Sequence, residues 1–302
     1  MVALAQPGAS EMPAKIAVHP RPDGSFAHAM PAHLRGDDAA RDLVGIKWIA
    51  GFAGNAALGL PALNAVVVLN DPGTGLPVAM LDGGPITAER TAAVTGVAIR
   101  HFGPAPDPGA RIQVALIGAG VQGRAHVPVI GAVLPGSTLH LHDRHPVRMA
   151  ALADEAGSSS GIGEVLEHAT ARDAIEAADV VVTAASFTSP VERQSMTNDW
   201  LKPGATVIPV DYATFCSAEV AREAALFLVD HREQFLANRA AGNFDGYPDP
   251  AATIGEAILA ATPRPKGRVV VTHLGVGLAD LVFADVIVRA AIAAGHGTTL
   301  PR

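Results

Sequence analysis

Three glycines near the middle of the chain have the spacing of a turn that binds phosphate. Gly118, Gly120 and Gly123 stand in the segment VALIGAGVQGRAH, where the G-x-G-x-x-G pattern falls between a strand-like and a helix-like run. The first glycine permits the tight turn, the second lets the backbone approach a pyrophosphate, and the third lets helix and strand pack closely. The free N–H groups at the start of the helix, around Val121 and Gln122, suit the anion. These residues predict a dinucleotide site.

An acidic residue at the end of the next strand-like run fits the same site. Asp143 ends the run TLHLHD, about 20 residues beyond the last glycine, where a carboxylate accepts hydrogen bonds from the adenine ribose. Its negative charge disfavours a 2′-phosphate, but Arg144, His145 and Arg148 follow it and can neutralise one. We therefore expect NAD or NADP as the cofactor, with NAD favoured.

Short apolar runs that alternate with helical patterns would position these residues. The runs with strand character are Gln113 to Ile117, Thr138 to His142, Val180 to Thr183, Thr206 to Val210, Leu226 to Val229 and Arg268 to Thr272. Strands separated by helices predict a parallel, doubly wound α/β sheet of the Rossmann type, with helices on both faces. Because ligands bind at the carboxyl edge of such a sheet, Thr183, Ala184 and His273 join the predicted cofactor contacts, with His273 near the nicotinamide.

The first third of the chain has a different pattern of apolar and turn residues, which predicts a second, α+β domain. Two apolar runs, Asn64 to Leu69 and Pro77 to Leu81, flank the turn-rich NDPGTG and predict an antiparallel hairpin. Helical spacing from Thr91 onward leads into GPAPDPG at Gly103 to Gly109, which is typical of a linker. We expect a Rossmann domain over residues 109–280 and a second domain made of residues 1–108 with 281–302.

A late apolar stretch predicts a buried helix of a soluble protein. Leu281 to Ala294 carries Asp285 and Arg289, whose i,i+4 spacing suits a supporting ion pair. With about 14 residues, the stretch is shorter than the roughly 20 that a membrane span needs. We therefore expect no membrane association.

The composition excludes several functional classes. Hydrophobic residues make up 49% and charged residues 17% of the 302 residues, and the mean hydropathy is +0.28, so the chain folds rather than staying disordered. A formal charge of -7 repels nucleic acid. The single cysteine, Cys216, cannot form an internal disulfide, and the start of the chain has neither a basic nor a long apolar run. We expect a cytoplasmic protein.

Four ordered segments make the chain similar to the ornithine cyclodeaminase/mu-crystallin family over nearly its whole length. They are GIKWIAGFAGN, LNDPGTGLPVAMLDGGPITAERTAA, VALIGAGVQGRAH and HLGVGLADLVFADV. The resemblance implies redox chemistry at the C–N bond of amino or imino acids. It also implies a homodimer, in which the non-nucleotide domain binds the substrate and forms a shared β-structure.

The same resemblance implies roles for four residues outside the Rossmann domain. Lys47, in IKWIAG, matches the family's active-site lysine, and Arg90, in TAERTAA, matches the arginine that grips the substrate carboxylate. Lys15, in PAKIAVHP, stands in place of a further carboxylate-binding arginine, and Met30, in AHAMP, matches a pocket-lining segment. A planar guanidinium binds a carboxylate through two hydrogen bonds, whereas a lysine acts as a point charge, or as an acid/base when its pKa is lowered.

Two features depart from the family pattern. The catalytic aspartate of cyclodeaminases lies in a Gly-Asp-x-Pro-Gly loop after a strand, whereas this chain has PVDYATFCSAE. Asp211 lies near that position and is the candidate catalytic acid/base, but alignment on Glu219 puts Ala213 there instead, which leaves Asp211 as a turn-capping aspartate. The segment MPAKIAVHP also stands closer to the start than the family pattern implies, so we expect either that an opening helix and strand are absent or that the start codon is misassigned, and that the dimer geometry differs.

The histidines give no metal-binding pattern. His19, His28 and His33 lie in one region that is predicted as a loop, without H-x-x-x-H or H-E-x-x-H spacing. No cysteine cluster accompanies them, since Cys216 stands alone. We therefore expect no metal site.

The candidate residues match the needs of hydride transfer from a nicotinamide, which requires a protein that holds the substrate carbon, fixes its carboxylate and manages one proton. They favour an NAD(P)-dependent oxidoreductase acting on an amino acid/imino acid pair, such as a ketimine or cyclic imine reductase. Reduction tolerates an uncertain aspartate better than ornithine cyclodeaminase chemistry, which must activate an amine and expel ammonia. Two alternatives stay open: a cyclodeaminase that recycles NAD, and a non-catalytic NADP(H)-binding protein like mu-crystallin.

Overall fold

Two compact units make up the structure. The computed structural model describes residues 1–22, 24–105, 109–159, 161–186 and 192–300. The large unit consists of Met1–Val2 with Thr91–Leu274, and the small unit consists of Ala3–Arg90 with Gly275–Arg302. The predicted linker falls in part on residues 106–108, which lie outside the described residues. What each unit binds stays a prediction.

A run of strands near the start of the chain is followed by a part in which strands and helices largely alternate. The strands are β1 (Ser10–Glu11), β2 (Ile16–Val18), β3 (Phe26–Leu34), β4 (Leu43–Gly51), β5 (Leu63–Asn70), β6 (Pro77–Asp82), β7 (Gln113–Ile117), β8 (Ser137–His142), β9 (Ile162–Glu167), β10 (Val180–Thr183), β11 (Thr206–Pro209), β12 (Leu226–Val229), β13 (Ala252–Thr253) and β14 (Val269–Thr272). The α-helices are α1 (Val2–Ala5), α2 (Gly83–Phe102), α3 (Val121–Val133), α4 (Pro146–Gly157), α5 (Ala171–Glu176), α6 (Ala218–Arg222), α7 (Arg232–Ala240), α8 (Ile254–Leu259) and α9 (Gly277–Ala293). Short 3-10 helices lie at Ala39–Arg41, Ala53–Leu58 and Asn198–Trp200.

The large unit is built on a parallel sheet. Its strands hydrogen-bond in the order β13-β12-β14-β11-β10-β7-β8-β9, and the paired neighbours all run parallel. The predicted Rossmann-type α/β fold is therefore confirmed. The strand order reverses between β7 and β10, and such sheets bind ligands at the carboxyl ends of the strands beside this switch point.

Two strands of this sheet do not follow from the sequence pattern. β9 reads IGEVLE and exposes Glu164 and Glu167, because it lies at one edge of the sheet and is not covered like the central strands. β13 has two residues and lies at the other edge. The strands that the pattern predicts lie between these edges, where the apolar signal is strong.

Alternate residues of the central strands point into two apolar layers. On β7, Val114 and Leu116 belong to one buried cluster, whereas Ala115 and Ile117 belong to the other. Burial on both faces explains why these strands read as continuous apolar runs. It also holds the carboxyl ends of β7, β10 and β11 in fixed positions, since their side chains are almost wholly buried.

The small unit contains an antiparallel sheet. Its strands follow the order β1-β3-β4-β5-β6, and β2 also pairs with β3. β5 and β6 form the hairpin that NDPGTG predicts. α9 contacts β3, β4 and β5, and Val67, Leu278 and Leu281 belong to the apolar core of this unit.

The prediction of a loop around the early histidines is wrong for two of the three, because only His19, just after β2, lies outside helices and strands. His28 and His33 lie on β3, and both pair with β4. Pro31 stands between them, where β3 has no strand partner on its other side: the pairing with β2 ends at Ala29, and the pairing with β1 begins at His33. A strand tolerates a proline at such a place, which is why the proline is a misleading signal here.

α9 is longer and less buried than the apolar stretch predicts. It begins at Gly277, and its buried residues lie in its first half, whereas Val286 is 62% and Ile292 71% exposed. The prediction of a buried helix is therefore wrong for the second half, because only one face of an evenly apolar helix packs on the sheet. The predicted Arg289–Asp285 ion pair is present. Within the described residues, no helix combines the length and apolarity needed to cross a bilayer.

Candidate active site

The glycine-rich turn joins β7 to α3 in the large unit. Gly118 has a φ of +110°, and a Cβ there would lie 2.5 Å from the carbonyl oxygen of Ala184. A Cβ at Gly123 would collide with the Gly118 carbonyl, whereas Gly120, the N-cap of α3, faces open space. An approaching anion therefore meets bare backbone at Gly120, which is what a pyrophosphate site requires.

The first turn of α3 also fits a ligand. Val121 is exposed, and Gln122 has a buried side-chain oxygen with no hydrogen-bond partner among the described residues. Buried polar atoms are normally hydrogen-bonded. An orphaned oxygen beside the open N-terminus of a helix is therefore consistent with a site that a cofactor completes.

Asp143 follows β8 and ties two turns together. Its Oδ2 accepts a hydrogen bond from the Ala119 N–H at 2.6 Å, and its Oδ1 accepts one from the His145 N–H at 2.7 Å. The carboxylate thus holds the glycine-rich turn against the end of β8. Each carboxylate oxygen has a second lone pair for a ribose hydroxyl, and the neighbouring Arg144 is exposed.

Thr183 and Ala184 stand at the end of β10, beside the switch point. Thr183 is buried, and the Ala184 N–H donates to the Ile117 carbonyl at 2.7 Å. The end of β10 is therefore tied to the end of β7, directly before Gly118. The structure brings these two predicted residues next to the glycine-rich turn.

Asp211 follows β11 and is buried in the large unit. Burial raises the pKa of its carboxyl to about 7, and the Ala185 N–H donates to its Oδ2 at 3.2 Å. Tyr212 and Ala213, the next residues, have φ values of 55° and 58°, which non-glycine residues keep only when their surroundings hold them. Ala213 packs in an apolar cluster, so the loop places the carboxyl of Asp211 at the strand end.

A chain of hydrogen bonds through Thr95 and His126 is a feature that sequence reasoning missed. His126 Nδ1 lies 2.6 Å from the Gln122 carbonyl oxygen, and His126 Nε2 lies 2.9 Å from Thr95 Oγ1. Thr95 Oγ1 lies 2.9 Å from Nε2 of His273, which follows β14. The spacing of His126 one turn after Gln122 is visible in the sequence, but nothing there points to Thr95.

The carbonyl group at one end of this series of hydrogen bonds determines which atoms donate and which accept. A carbonyl oxygen only accepts, so His126 donates from Nδ1. Burial lowers the pKa of His126 to about 4, so at neutral pH its Nε2 accepts from the Thr95 hydroxyl. Thr95 then accepts from His273, which places a proton on Nε2 of His273.

Lys47, Arg90 and Asp280 form a buried ionic cluster in the small unit. Lys47 Nζ lies 2.7 Å from Asp280 Oδ2, and Arg90 Nε donates to Asp280 Oδ1 at 2.9 Å. Lys47 and Asp280 are fully buried, and Arg90 is 5% exposed. Lys47 Nζ also donates to Thr87 Oγ1 at 3.4 Å. One carboxylate thus faces two cationic side chains.

Each member of the cluster stands on a different element. Lys47 lies on β4, where Met30 of β3 and Val67 of β5 are its cross-strand partners. Directly opposite residues share one face of a sheet, so the predicted pocket residue Met30 lies beside Lys47. Arg90 lies on α2, and Asp280 lies in the first turn of α9.

The electrostatics of the cluster suit both carboxylate binding and proton transfer. Burial, followed by the charge of Arg90, lowers the pKa of Lys47 to about 7, although Asp280 opposes this shift. Nη1 of Arg90 is buried and has no hydrogen-bond partner among the described residues. The guanidinium can therefore bind a carboxylate, and Lys47 can give or take a proton near neutral pH.

Lys15 stands just before β2 and is half-buried. Burial, then the positive charge of Lys15, lowers the pKa of His28 to about 4. The same charge lowers the pKa of Lys47, after the larger effects of burial and of Arg90. Lys15 is thus close enough to the cluster to act on it electrostatically.

Asp280 is the member of the cluster that sequence reasoning missed. It lies in HLGVGLADLVF, a segment that contributes to the family resemblance but is not assigned a site residue. A visible signal is an acidic residue within an apolar run, because such residues are seldom buried unless they are paired. Gly275 belongs to the same feature: it has a φ of +86°, and a side chain there would overlap the Arg90 guanidinium.

The predicted site residues therefore fall into one group in each unit. The large unit holds Gly118, Gly120, Val121, Gln122, Gly123, Asp143, Arg144, Thr183, Ala184, Asp211 and His273. The small unit holds Lys15, Met30, Lys47 and Arg90. In the part of the chain that the structure describes, no three His, Cys, Asp or Glu side chains are grouped to hold a metal ion.

Known proteins match this chain over most of its length. The model of the family described as ornithine cyclodeaminase/mu-crystallin matches residues 2–293. The nodulation efficiency protein NfeD of Rhizobium meliloti is 35% identical over 298 residues, which are 96% of this chain and 88% of that protein. The ketimine reductase mu-crystallin of Mus musculus is 31% identical over 268 residues, 87% of this chain and 79% of that protein.

A solved structure shares the fold. The Delta(1)-pyrroline-2-carboxylate reductase of Thermococcus litoralis, in complex with NADH and L-proline, gives a TM-score of 0.82 at 24% identity. The match covers 99% of this chain and 92% of that one. Both the parallel and the antiparallel sheet described above therefore belong to a known architecture.

Proposed function

The chain belongs to the ornithine cyclodeaminase/mu-crystallin family, and from this premise we propose that it is an NAD(P)-dependent oxidoreductase that reduces the C=N bond of a small 2-imino acid. The substrate class is a ketimine or cyclic imine with one carboxylate. The observation that carries the proposal is the buried cluster in which Lys47 and Arg90 share Asp280. A merely structural ion pair needs one cation, whereas this cluster has a second, Arg90, whose buried Nη1 has no hydrogen-bond partner among the described residues.

The large unit would hold the cofactor. Gly120, Val121 and Gln122 would bind the pyrophosphate, and Asp143 would bind the adenine ribose, since its oxygens keep accepting capacity. Thr183, Ala184 and His273 would contact the nicotinamide end, because they lie at the carboxyl edge of the sheet. Arg144 would allow a 2′-phosphate, although the charge of Asp143 favours NAD over NADP. When bound, this cofactor supplies a hydride from its nicotinamide C4.

The small unit would bind the substrate. Arg90 would hold the carboxylate through its unpartnered Nη1, Lys15 would add a single-point contact, and Met30 would line the apolar side. Lys47, with a pKa of about 7, would protonate the imine nitrogen as hydride reaches the α-carbon. The proton and the hydride together convert the C=N bond to a CH–NH bond, and the product is a 2-amino acid.

A second candidate function is favoured by Asp211. Burial raises the pKa of its carboxyl to about 7, so this group could exchange a proton with an amine near neutral pH. Such a group is what ornithine cyclodeaminase chemistry needs to expel ammonia. In that case L-ornithine would give L-proline and ammonia, and the NAD would be recycled within one turnover.

A homodimer is part of the proposal. Side chains alternate along β4, so Trp48 lies on the sheet face opposite to Lys47 and α9. Trp48 is 44% exposed, and Ile16 of β2 and Met80 of β6 are exposed as well. Monomers rarely leave such apolar faces open, which supports pairing of two sheets. Light scattering of the wild-type protein and of Trp48→Glu tests it: we expect a dimer and a monomer, respectively.

The remaining partners and the location follow from charge and composition. A net charge of -7 argues against nucleic acid as a partner. The single cysteine, Cys216, is buried and free, which suits a reducing compartment. We propose a cytoplasmic location, which cell fractionation would test.

The decisive experiment mixes the purified protein with a panel of substrates, using NADH or NADPH for the imines and the 2-oxo acids, and NAD+ for L-ornithine, whose turnover begins with an oxidation. The panel contains Delta(1)-pyrroline-2-carboxylate, Delta(1)-piperideine-2-carboxylate, 2-oxo acids with amines, and L-ornithine. Loss of nicotinamide absorbance with the cyclic imines is the expected result. Ammonia release from ornithine without net NADH change would select the cyclodeaminase. Tight NADPH binding with no turnover would select a non-catalytic binding protein.

A further inference from the structure

We infer that Asp280 is a positioning residue that couples binding of the substrate carboxylate to uptake of one proton by Lys47. The inference rests on the proposed function, because it takes a monocarboxylate as the ligand of the small unit. Asp280 would not react with the substrate. Its role would be to set the orientation and the total charge of the two cations that meet the substrate.

Each carboxylate oxygen of Asp280 contacts one cation. Oδ2 lies 2.7 Å from Lys47 Nζ, and Oδ1 accepts from Arg90 Nε at 2.9 Å. Asp280 engages Nε, and Nη1 of Arg90 has no hydrogen-bond partner among the described residues. Asp280 therefore orients the guanidinium with Nη1 left to donate to a second carboxylate.

The surroundings of Asp280 favour a negative charge and hold the side chain in place. It stands in the first turn of α9, where free backbone N–H groups favour a negative charge. Gly275, just before this helix, leaves room for the Arg90 guanidinium. The side chain of Asp280 is fully buried, so solvent does not screen its interactions with Lys47 and Arg90.

The charge balance of the cluster couples binding of the carboxylate to protonation of Lys47. With Lys47 protonated, the three side chains carry a net charge of +1, and one substrate carboxylate brings the total to zero. With Lys47 neutral, the three buried side chains already sum to zero, and only the half-buried Lys15, whose charge solvent partly screens, would offset the added carboxylate. A buried carboxylate that is balanced only in part is disfavoured. The carboxylate should therefore bind together with a proton on Lys47.

Other groups near Lys47 do not replace it as the proton acceptor. The charges of Arg90, Asp280 and Lys15 act on Lys47, and the charge of Lys47 acts in turn on His28. Arg90 stays protonated in proteins, and His28, with a pKa of about 4, is neutral near pH 7. Lys15 is half-buried, so solvent partly screens its charge. The neighbours Met30, Val67 and Thr87 do not ionise.

Calorimetry on the wild-type protein tests the coupling without turnover. Pyrrole-2-carboxylate, a monoanion without a basic nitrogen, is titrated into the NADH-bound protein in two buffers of different ionisation enthalpy. We expect uptake of close to one proton at pH 8 and almost none at pH 6. We also expect the dissociation constant to rise about fivefold from pH 7 to pH 8, following the loss of protonated Lys47. Binding at pH 8 without proton uptake would overturn the inference.

The variant Asp280→Asn tests the effect of the negative charge of Asp280 by itself. Asparagine keeps an oxygen for Arg90 Nε but removes the negative charge, so Lys47 should be neutral throughout and binding should lose both its pH dependence and its proton uptake. NADH affinity should not change. The matched control is Asp285→Asn on the same helix, whose partner Arg289 is exposed, and it should behave like the wild type. Wild-type proton uptake in Asp280→Asn would contradict the inference.

Three further outcomes keep the test decisive. If Asp280→Asn does not fold, Lys47→Met serves in its place, since Arg90 and Asp280 can still pair; proton uptake that survives in Lys47→Met would overturn the inference. Imine reduction by a wild-type protein that takes up no proton would refute the coupling but not the proposed function. Proton uptake by a protein that reduces none of the imines would refute the proposed function alone.

Discussion

The amine of Lys47 lies 2.7 Å from the carboxylate of Asp280, and both side chains are fully buried. Lys47 belongs to β4 and Asp280 to α9, so the pair forms only when the helix packs on the sheet. Removing one partner of a buried ion pair typically costs about 3–5 kcal/mol. The pair is therefore part of what holds α9 on the sheet, and the same two groups are the centre of the proposed chemistry.

Arg90→Lys tests carboxylate recognition. A lysine cannot contact Asp280 and still present a planar edge to the substrate, so we expect KM for imino acids to rise by about tenfold or more. NADH affinity, measured by fluorescence titration, should stay nearly unchanged. Arg100→Lys, on the exposed end of the same helix, is the control. An equal loss of substrate and NADH affinity would mean that Arg90 is only structural.

We expect the titration of Lys47 to produce the basic limb of the pH profile of kcat/KM. If protonated Lys47 donates to the imine, kcat/KM is maintained below its pKa of about 7 and falls as the pH rises through that value. Lys47→Met should lower kcat by about a hundredfold and remove this limb. Steady-state rates between pH 5.5 and pH 9 are the measurement. A limb that persists in Lys47→Met would assign it to another group, with Asp211 the first to examine.

We expect the folded protein to lose stability in acid because of His126. Burial lowers its folded-state pKa to about 4, whereas an unfolded histidine titrates near 6.5. The unfolded state therefore binds more protons in this window, so stability is complete above about pH 6.5 and falls towards pH 4, by an amount on the order of 3 kcal/mol.

Urea unfolding at several pH values measures this effect. The variant His126→Gln, which cannot be protonated, should be less stable at pH 7 because it disturbs the hydrogen bonds to Gln122 and Thr95. Its stability should nevertheless change less between pH 6.5 and pH 4 than that of the wild type. Parallel curves for the two proteins would show that His126 does not contribute to acid sensitivity.

Asp143→Ser predicts a shift in cofactor preference. Removing the negative charge while Arg144 remains should raise the ratio of NADPH to NADH affinity by about tenfold. The variant should also lose about 1–2 kcal/mol of stability, because Asp143 accepts from the Ala119 and His145 N–H groups. Binding titrations and thermal unfolding check the two effects. Asp154→Ser, on the exposed side of α4, should change neither.

The sequence alone determined the architecture of the large unit and the place of its glycine-rich turn. Apolar strands, helices and glycines between Gln113 and Asp143 are local features, each readable from neighbouring residues. The hairpin of β5 and β6 is local in the same way. Family membership, which four segments indicate, is confirmed by a match over residues 2–293. The residues that break the pattern stand at sheet edges, as in β9, or at a gap in pairing, as at Pro31.

Only the tertiary structure decided which polar side chains contact one another. Asp280 meets Lys47 and Arg90 because α9 folds back over β4, and Thr95 meets His126 and His273 because three separate elements converge on it. No spacing rule encodes such meetings, since the residues are far apart along the chain. Burial then sets their chemistry: the pKa values of Lys47, His126 and Asp211 depend on how much water the packed chain excludes, which is a property of the folded molecule and not of any segment.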